Sequence, residues 1–130
     1  MRRIMHSLLA IVALVVVMAM PARADNIVEI DRDTSDGLYA GAMAHGLVDY
    51  PSRLWVKVRV RPNQRVHVDW SLTCYHHGDS RSRDGGFRAI TPVKRVLRIP
   101  YAEADRCSVT ATAQVDDLGS LVVILLARVP

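Results

Sequence analysis

The stretch Leu54–Cys74, LWVKVRVRPNQRVHVDWSLTC, decides the fold of this chain. Apolar residues occupy every second position in both halves of the stretch, which is typical of a β-strand with one buried face. The Pro-Asn-Gln segment at 62–64 is typical of a turn, because proline presets its backbone angle and asparagine tolerates turn geometry. We therefore predict two antiparallel strands, the first over Arg53–Arg61 and the second ending at Cys74.

Other segments of the chain show the same alternation. The further predicted strands are a weak one at Asn26–Asp31, a short one near Phe87–Ile90, and three more at Thr91–Ile99, Cys107–Val115 and Leu121–Val129. About seven short strands without a convincing helix predict an all-β protein, an immunoglobulin-like sandwich of two sheets.

The last predicted strand is apolar on both faces, so its second row of side chains needs a cover. This row consists of Val122, Ile124 and Leu126. We assign the cover to the Gly- and Ala-rich segment Leu38–Ala44, with an exposed patch for a partner as the alternative.

The two cysteines, Cys74 and Cys107, both lie on the apolar face of a predicted strand. In an exported chain, such a pair favours one buried disulfide over catalytic or metal chemistry. We predict that this disulfide links the two sheets across the core.

Residues 1–24 have the three parts of a secretory signal peptide. Arg2 and Arg3 begin it, an apolar run over Leu8–Met20 follows, and an Ala-Arg-Ala cleavage pattern ends at Ala24. An uncleaved anchor is the alternative, but the run is shorter than the ~20 residues that a membrane-spanning helix needs. The sequence thus predicts cleavage after Ala24 and a single β-sandwich domain over 25–130, secreted or associated with the cell envelope, without a transmembrane segment.

Removing the leader changes the charge balance. Arg2, Arg3 and Arg23 are three of the 17 basic residues, so 14 remain against 13 acidic ones. This near balance does not favour a nucleic-acid partner.

Three local patterns resemble small secreted β-sandwich proteins of high-GC Gram-positive bacteria. They are the alternating run from Val66 to Cys74, the Thr-Pro-Val step at 91–93 and the alternating run from Cys107 to Ala111. The resemblance extends roughly from Leu54 to the C-terminus. It implies an exported location and a sandwich fold, and no activity.

A His-rich segment follows Cys74 and is the candidate metal site. His76, His77 and Asp79 are residue types that bind zinc or copper. Adjacent histidines on an extended chain point to opposite sides, however, so a solvated polar loop is the competing interpretation. We predict no cofactor.

The same predicted loop, from His76 to Arg88, contains Arg81, Arg83 and Arg88. Guanidinium groups suit carboxylates and phosphates, so an anionic envelope polymer is the candidate ligand of this loop, and a surface protein is the other candidate partner.

A second set of candidate ligand contacts lies on the outer face of the first predicted strand. Trp55 alternates there with Lys57, Arg59 and Arg61, while Lys94 and Arg98 share a face of a later strand. If both strands belong to one sheet, they form a basic stripe beside an aromatic ring that would stack on a sugar or a base. Protection of a sheet edge by charged residues is the alternative explanation.

Enzyme chemistry has little support in the sequence. No Gly-x-Ser-x-Gly motif occurs, and a disulfide would consume both thiols. We predict a secreted, non-enzymatic structural or binding module. The alternatives are an extracellular metal-binding protein that uses the His-His segment and a small secreted hydrolase or inhibitor.

Overall fold

The computed structural model describes residues 26–130, and these residues form eight β-strands without a helix. The predicted leader and its cleavage after Ala24 lie outside the described residues. The strands are β1 (Asn26–Leu38), β2 (Gly41–Asp49), β3 (Arg53–Arg61), β4 (Arg65–His76), β5 (Asp79–Ile90), β6 (Val93–Leu97), β7 (Arg106–Val115) and β8 (Leu118–Val129). Within residues 26–130, no helix is long and apolar enough to cross a membrane.

The strands form two antiparallel sheets of four strands each. The first sheet has the order β1-β8-β3-β6, and the second sheet has the order β2-β7-β4-β5. The first strand pairs with the last, the second with the seventh, the third with the sixth and the fourth with the fifth. This nested pairing is the connectivity of a jelly roll. The predicted all-β two-sheet sandwich is confirmed, with eight strands instead of about seven and with jelly-roll strand order.

The core lies between the two sheets and consists of the side chains that alternation places inward. Val56 and Val58 of β3 in the first sheet and Val66 and Val68 of β4 in the second sheet belong to this core, and all four are fully buried. Because each strand contributes every second residue to the core, its remaining residues are free to define the outer face.

The disulfide forms, but within one sheet. Cys74 and Cys107 are bonded and fully buried, and they are register partners on the neighbouring strands β4 and β7, with Cα atoms 4.1 Å apart. The predicted link between the two sheets is therefore wrong. Facing sheets lie ~10 Å apart, which is farther than a disulfide spans between Cα atoms, whereas directly opposed residues of antiparallel strands lie within its range.

Two segments that we did not predict as strands complete the sheets. The Leu38–Ala44 segment enters β2 in the second sheet and cannot cover the outer row of β8 in the first sheet. The predicted loop from His76 to Arg88 is mostly β5, which pairs with β4 along its whole length.

Different interactions join the edges of the two sheets on the two open sides of the sandwich. On one side, Asp31 and Asp33 of β1 accept hydrogen bonds from the backbone amides of His45 and Met43 in β2, each at 2.9 Å. These carboxylates therefore satisfy amides on the free edge of β2. On the other side, the guanidinium carbon of Arg95 lies 4.5 Å from the ring centroid of Phe87.

Candidate functional site

The outer face of the first sheet has a strong excess of basic side chains, and we call it the cationic face. Its basic residues, given by register and alternation, are Arg32, Arg53, Lys57, Arg59, Arg61, Lys94 and Arg128. Its acidic residues are Glu29 and Asp36. One row of this face runs from Arg32 through Ile124 and Lys57 to Lys94 across all four strands.

The basic stripe that we predicted is present, because β3 and β6 are neighbours in one sheet and Lys57 is the register partner of Lys94. Arg98 follows the end of β6. Edge protection does not explain the charges on β3, since this strand lies inside the sheet between β8 and β6.

Trp55 lies beneath basic side chains on this face. Its ring centroid is 4.9 Å from the Lys94 ammonium, 5.5 Å from the Arg128 guanidinium carbon and 6.0 Å from that of Arg53. The residue is only 8% exposed, so its ring is not a free platform for stacking on a sugar or a base. The indole instead positions cations through cation–π contacts.

Trp55 also belongs to the cover of the outer apolar row of β8. It is the register partner of Leu126, and Lys57 is the partner of the buried Ile124. Lysine and arginine stems cover apolar surface while their charged ends stay in water. The row thus needs no separate covering segment.

A shallow cleft of about 320 Å³ lies at one end of the cationic face. Three arginines, a hydroxyl and a valine line it: Arg32, Arg59, Arg61, Ser120 and Val122. Arg32 donates from Nε and Nη2 to Glu29, while Arg59 and Arg61 form no ion pair with any acid of residues 26–130. Guanidinium groups around a hydroxyl are the donors that a phosphate or carboxylate group needs.

The three arginines of the predicted loop do not converge. Arg81 and Arg83 are register partners of the inward-facing Cys74 and Leu72, whereas Arg88 is opposite the outward-facing His67. Their side chains therefore lie on different sides of β5. Arg81 lies 4.8 Å over the ring of Tyr101 and donates to the Pro100 carbonyl at 3.4 Å, so it anchors the connection between β6 and β7.

The His-rich segment forms the hairpin turn between β4 and β5. His76 and Asp79 close the hairpin, and the two residues between them have positive φ, 49° for His77 and 84° for Gly78. Two positive φ values in a two-residue loop are characteristic of a type I′ turn. The backbone amide of His77 donates to Asp105 at 2.8 Å.

The histidine rings lie close together, with centroids 4.0 Å apart. Within residues 26–130, no group of three or more His, Cys, Asp or Glu side chains is placed to hold a metal ion. The segment's observed role is that of a turn.

Sequence reasoning missed several residues of the cationic face, namely Arg32, Arg53 and Arg128. Alternation places Arg128 in the outer row of the last predicted strand and Arg53 in that of the first. Their convergence on Trp55 depends on β8 lying beside β3, which local patterns do not reveal.

No protein-family model and no curated protein matches the chain. Among solved structures, the chain is similar to TmCBM61, whose structure contains β-1,4-galactotriose. The TM-score is 0.41 at 12% identity, over 85% of this chain and 74% of that one.

It is also similar to the enzymatically active domain of tailspike protein 4 of bacteriophage CBA120, with a TM-score of 0.39 at 10% identity over 83% of this chain. A third similarity is to the glycosylation-associated Gap123 complex of Streptococcus agalactiae, with a TM-score of 0.36 at 9% identity over 85% of this chain. The chain spans 18% and 23% of these two proteins. At such identities and TM-scores, the three similarities imply nothing about the ligand or activity of this chain.

Proposed function

We propose that this protein is a non-enzymatic binding module that acts outside the cytoplasm and holds an anionic polymer on its cationic face. The observation that most directly supports this proposal is the cleft that Arg32, Arg59, Arg61 and Ser120 line together. Arg59 and Arg61, which form no ion pair within residues 26–130, would each pair with a phosphate or carboxylate of the polymer, whereas Arg32 is already paired with Glu29.

The distribution of charge supports a polymer more than a small anion. The outward basic residues of β3 extend from Arg53 to Arg61, about 27 Å at the rise of a β-strand. Several repeat units of a polyanion would lie along this distance. Basic and acidic residues of the chain after Ala24 almost balance, so the positive charge of this face is a local feature.

The cation–π contacts of Trp55 favour binding by restricting the basic side chains. Lysine and arginine lose rotamer freedom when they are immobilised in a complex, which costs about 0.5–1.5 kcal/mol per side chain. Lys94, Arg53 and Arg128 are already held near the indole. These side chains are therefore partly restricted in the free protein already, which reduces the entropy lost on binding the polymer.

Export is supported by the leader sequence and by the disulfide. Both cysteines are bonded, and structural disulfides persist in oxidising compartments outside the cytoplasm. The proposed polymer is accordingly an anionic component of the cell envelope or its surroundings.

The test is retention of the protein on immobilised polyanions. Affinity electrophoresis through gels that contain poly(glycerol phosphate) or polygalacturonate should retard the protein, and a gel that contains neutral dextran should not. Retardation should fall as salt is raised, because the contacts are ionic. Comparing the two polyanions distinguishes a phosphate ligand from a carboxylate ligand.

The matched variants are Arg59→Gln with Arg61→Gln on the cationic face and Arg83→Gln with Arg88→Gln on β5. Both pairs remove the same charge from exposed strand positions. Retardation should be lost only in the first pair. Equal losses in the two pairs would indicate a nonspecific charge effect, and no retardation of the unmodified protein would contradict the proposal.

A further inference from the structure

A second cleft, of about 580 Å³, lies on the opposite side of the sandwich from the cationic face. Its lining residues lie at the ends of β2, β4 and β7 or directly beside them: Leu47, Asp49, Tyr50, Tyr75, Asp105 and Arg106. The register places Asp49, Arg106 and Tyr75 side by side across three strands of the second sheet. We propose that this cleft binds an uncharged oligosaccharide.

Exposed aromatic rings are the first argument for a sugar. Tyr50 is 62% exposed and Tyr75 is 42% exposed, although neighbouring core positions are fully buried. A tyrosine ring presents an apolar face and a polar tip, which matches a pyranose with its C–H face and its hydroxyl rim. Leu47 extends the apolar surface beside the rings.

The polar groups of the cleft suit hydroxyls. Arg106 Nε donates to Asp49 Oδ1 at 2.7 Å, which leaves the amino nitrogens of the guanidinium and the second carboxylate oxygen without a hydrogen bond to residues 26–130. Donors and acceptors thus lie side by side. A sugar hydroxyl both donates and accepts, so two neighbouring hydroxyls would bind to both partners of the ion pair.

The charge of the cleft excludes the ligand proposed for the other face. Asp49 and Asp105 outnumber Arg106 among the lining residues, so the cleft has no excess of positive charge. A polyanion would meet carboxylates here. The cleft combines aromatic rings, an arginine whose charge is neutralised by Asp49, and carboxylate oxygens that can accept further hydrogen bonds. This combination fits an uncharged sugar best.

The site is already organised in the free protein. Tyr50 has a φ of 50°, in the left-handed region, and its amide donates to the Asp105 carbonyl at 2.9 Å. The Asp105 amide in turn donates to the Tyr75 carbonyl at 2.8 Å. A non-glycine residue persists in this conformation when its surroundings hold it there, as the hydrogen bond to Asp105 does for Tyr50.

The disulfide reinforces the same arrangement. The Cys74–Cys107 pair directly precedes the Tyr75–Arg106 pair in the register of β4 and β7. The inward covalent bond therefore fixes the spacing of the strands under two outward residues of the cleft. A site held in this way loses less entropy when it binds.

The test is titration calorimetry of the protein with cellotetraose, xylotetraose, mannotetraose and maltotetraose. At least one of these uncharged sugars should give a saturable heat. Tyr50→Asn, which keeps a residue that tolerates positive φ, should weaken that binding at least about tenfold. Tyr75→Ser should weaken it as well.

Tyr39 provides a matched control at the other end of β2. It is 61% exposed with a φ of 56°, so Tyr39→Asn makes the same change in the same backbone conformation outside the cleft. Binding should stay within about twofold of the unmodified protein. The Arg59→Gln, Arg61→Gln pair should also leave sugar binding unchanged, which separates this site from the cationic face.

Three results would overturn the proposal. The first is the absence of saturable heat with all four sugars at millimolar concentration. The second is an equal effect of the Tyr50→Asn and Tyr39→Asn substitutions. The third is binding of polygalacturonate that Tyr50→Asn abolishes, because the cleft would then take an anionic ligand.

Discussion

Replacing both Cys74 and Cys107 with alanine should destabilise the protein mainly through its unfolded state. The bond joins residues 33 positions apart. Opening a loop of that size releases chain entropy that corresponds to about 3–4 kcal/mol at room temperature. Both sulfurs are fully buried, so their loss adds a smaller packing cost. For a domain of this size, the midpoint of thermal unfolding should fall by about 15 °C or more.

Urea unfolding followed by circular dichroism separates the two contributions. Without the bond, the unfolded chain expands and exposes more surface, so the dependence of the free energy of unfolding on urea should become steeper. Val109→Ala is the matched control, because Val109 lies two residues from Cys107 on the same buried face of β7. This control loses packing only, so its midpoint should fall while its slope stays unchanged.

The reasoning fails if the double alanine variant behaves like the Val109→Ala control. A similar drop in midpoint with an unchanged slope would mean that the bond does not restrict the unfolded chain. An unchanged midpoint would mean that the two sulfurs are not bonded in the folded protein.

Two further substitutions test contacts of the edge strands β1 and β5. Hydrogen bonds from the backbone amides of His45 and Arg32 lower the pKa of Asp31 below its ordinary value of 3.8. The ionised carboxylate therefore stabilises the folded protein above pH 3.8. This stabilisation is lost as the pH falls through the lower pKa of the folded state. Asp31→Asn should therefore lower the urea midpoint near neutral pH. Between about pH 5 and pH 2, the urea midpoint of the variant should fall less with decreasing pH than that of the unmodified protein. Parallel plots of urea midpoint against pH for the two proteins would contradict this. Gly85→Ala should cost about 1–3 kcal/mol, because the new Cβ would lie 2.8 Å from the Trp70 ring. Gly41→Ala, whose Cβ would meet only an ordinary contact at 3.8 Å, is the control, and equal thermal midpoints of the two variants would refute the clash.

The strands that sequence predicted correctly are those whose inward residues are large and apolar. In β3, every inward position is a buried leucine or valine and most outward positions are charged, so the period is unmistakable. The same holds for β4, where Val66, Val68 and Leu72 are buried, and for the alternation that begins at Cys107 in β7. Burial of one face and solvation of the other are visible in a single sequence because they select residue types directly.

Most of strand β5 was missed because neither of its faces is covered from Asp79 to Gly86; only its end was predicted, as the short strand near Phe87–Ile90. Its inward positions include Arg81, Arg83 and Gly85, which lie at the edge of the second sheet. A strand whose two faces are both exposed to solvent shows no alternation of apolar and polar residues, and its glycines and serines suggest a loop. Only pairing with β4 makes it a strand, and pairing is a property of the tertiary structure.

Strand β2 was missed for a different reason. Its inward residues are small, such as Ala42 and Ala44, whereas its outward residues include Met43 and Leu47, which are 50% and 63% exposed. The larger apolar side chains thus face solvent, which inverts the expected pattern. The cleft next to this strand was missed with it, because Asp49 and Tyr50 meet Tyr75 and Arg106 only through the pairing of β2, β7 and β4.

Period-two alternation also explains how one small sandwich presents two unlike outer surfaces. The inward residues of each sheet are constrained by the shared core, but the outward residues of the two sheets never meet. The first sheet therefore holds arginines and lysines around Trp55, while the second holds hydroxyls, as in the 2.9 Å hydrogen bond between Thr73 and Ser82. Since the cationic face and the second cleft share no residue and lie on opposite sides of a rigid core, an anionic polymer and an uncharged sugar would not compete for this protein. The two ligands would instead be held together by it, each at the affinity of its own face.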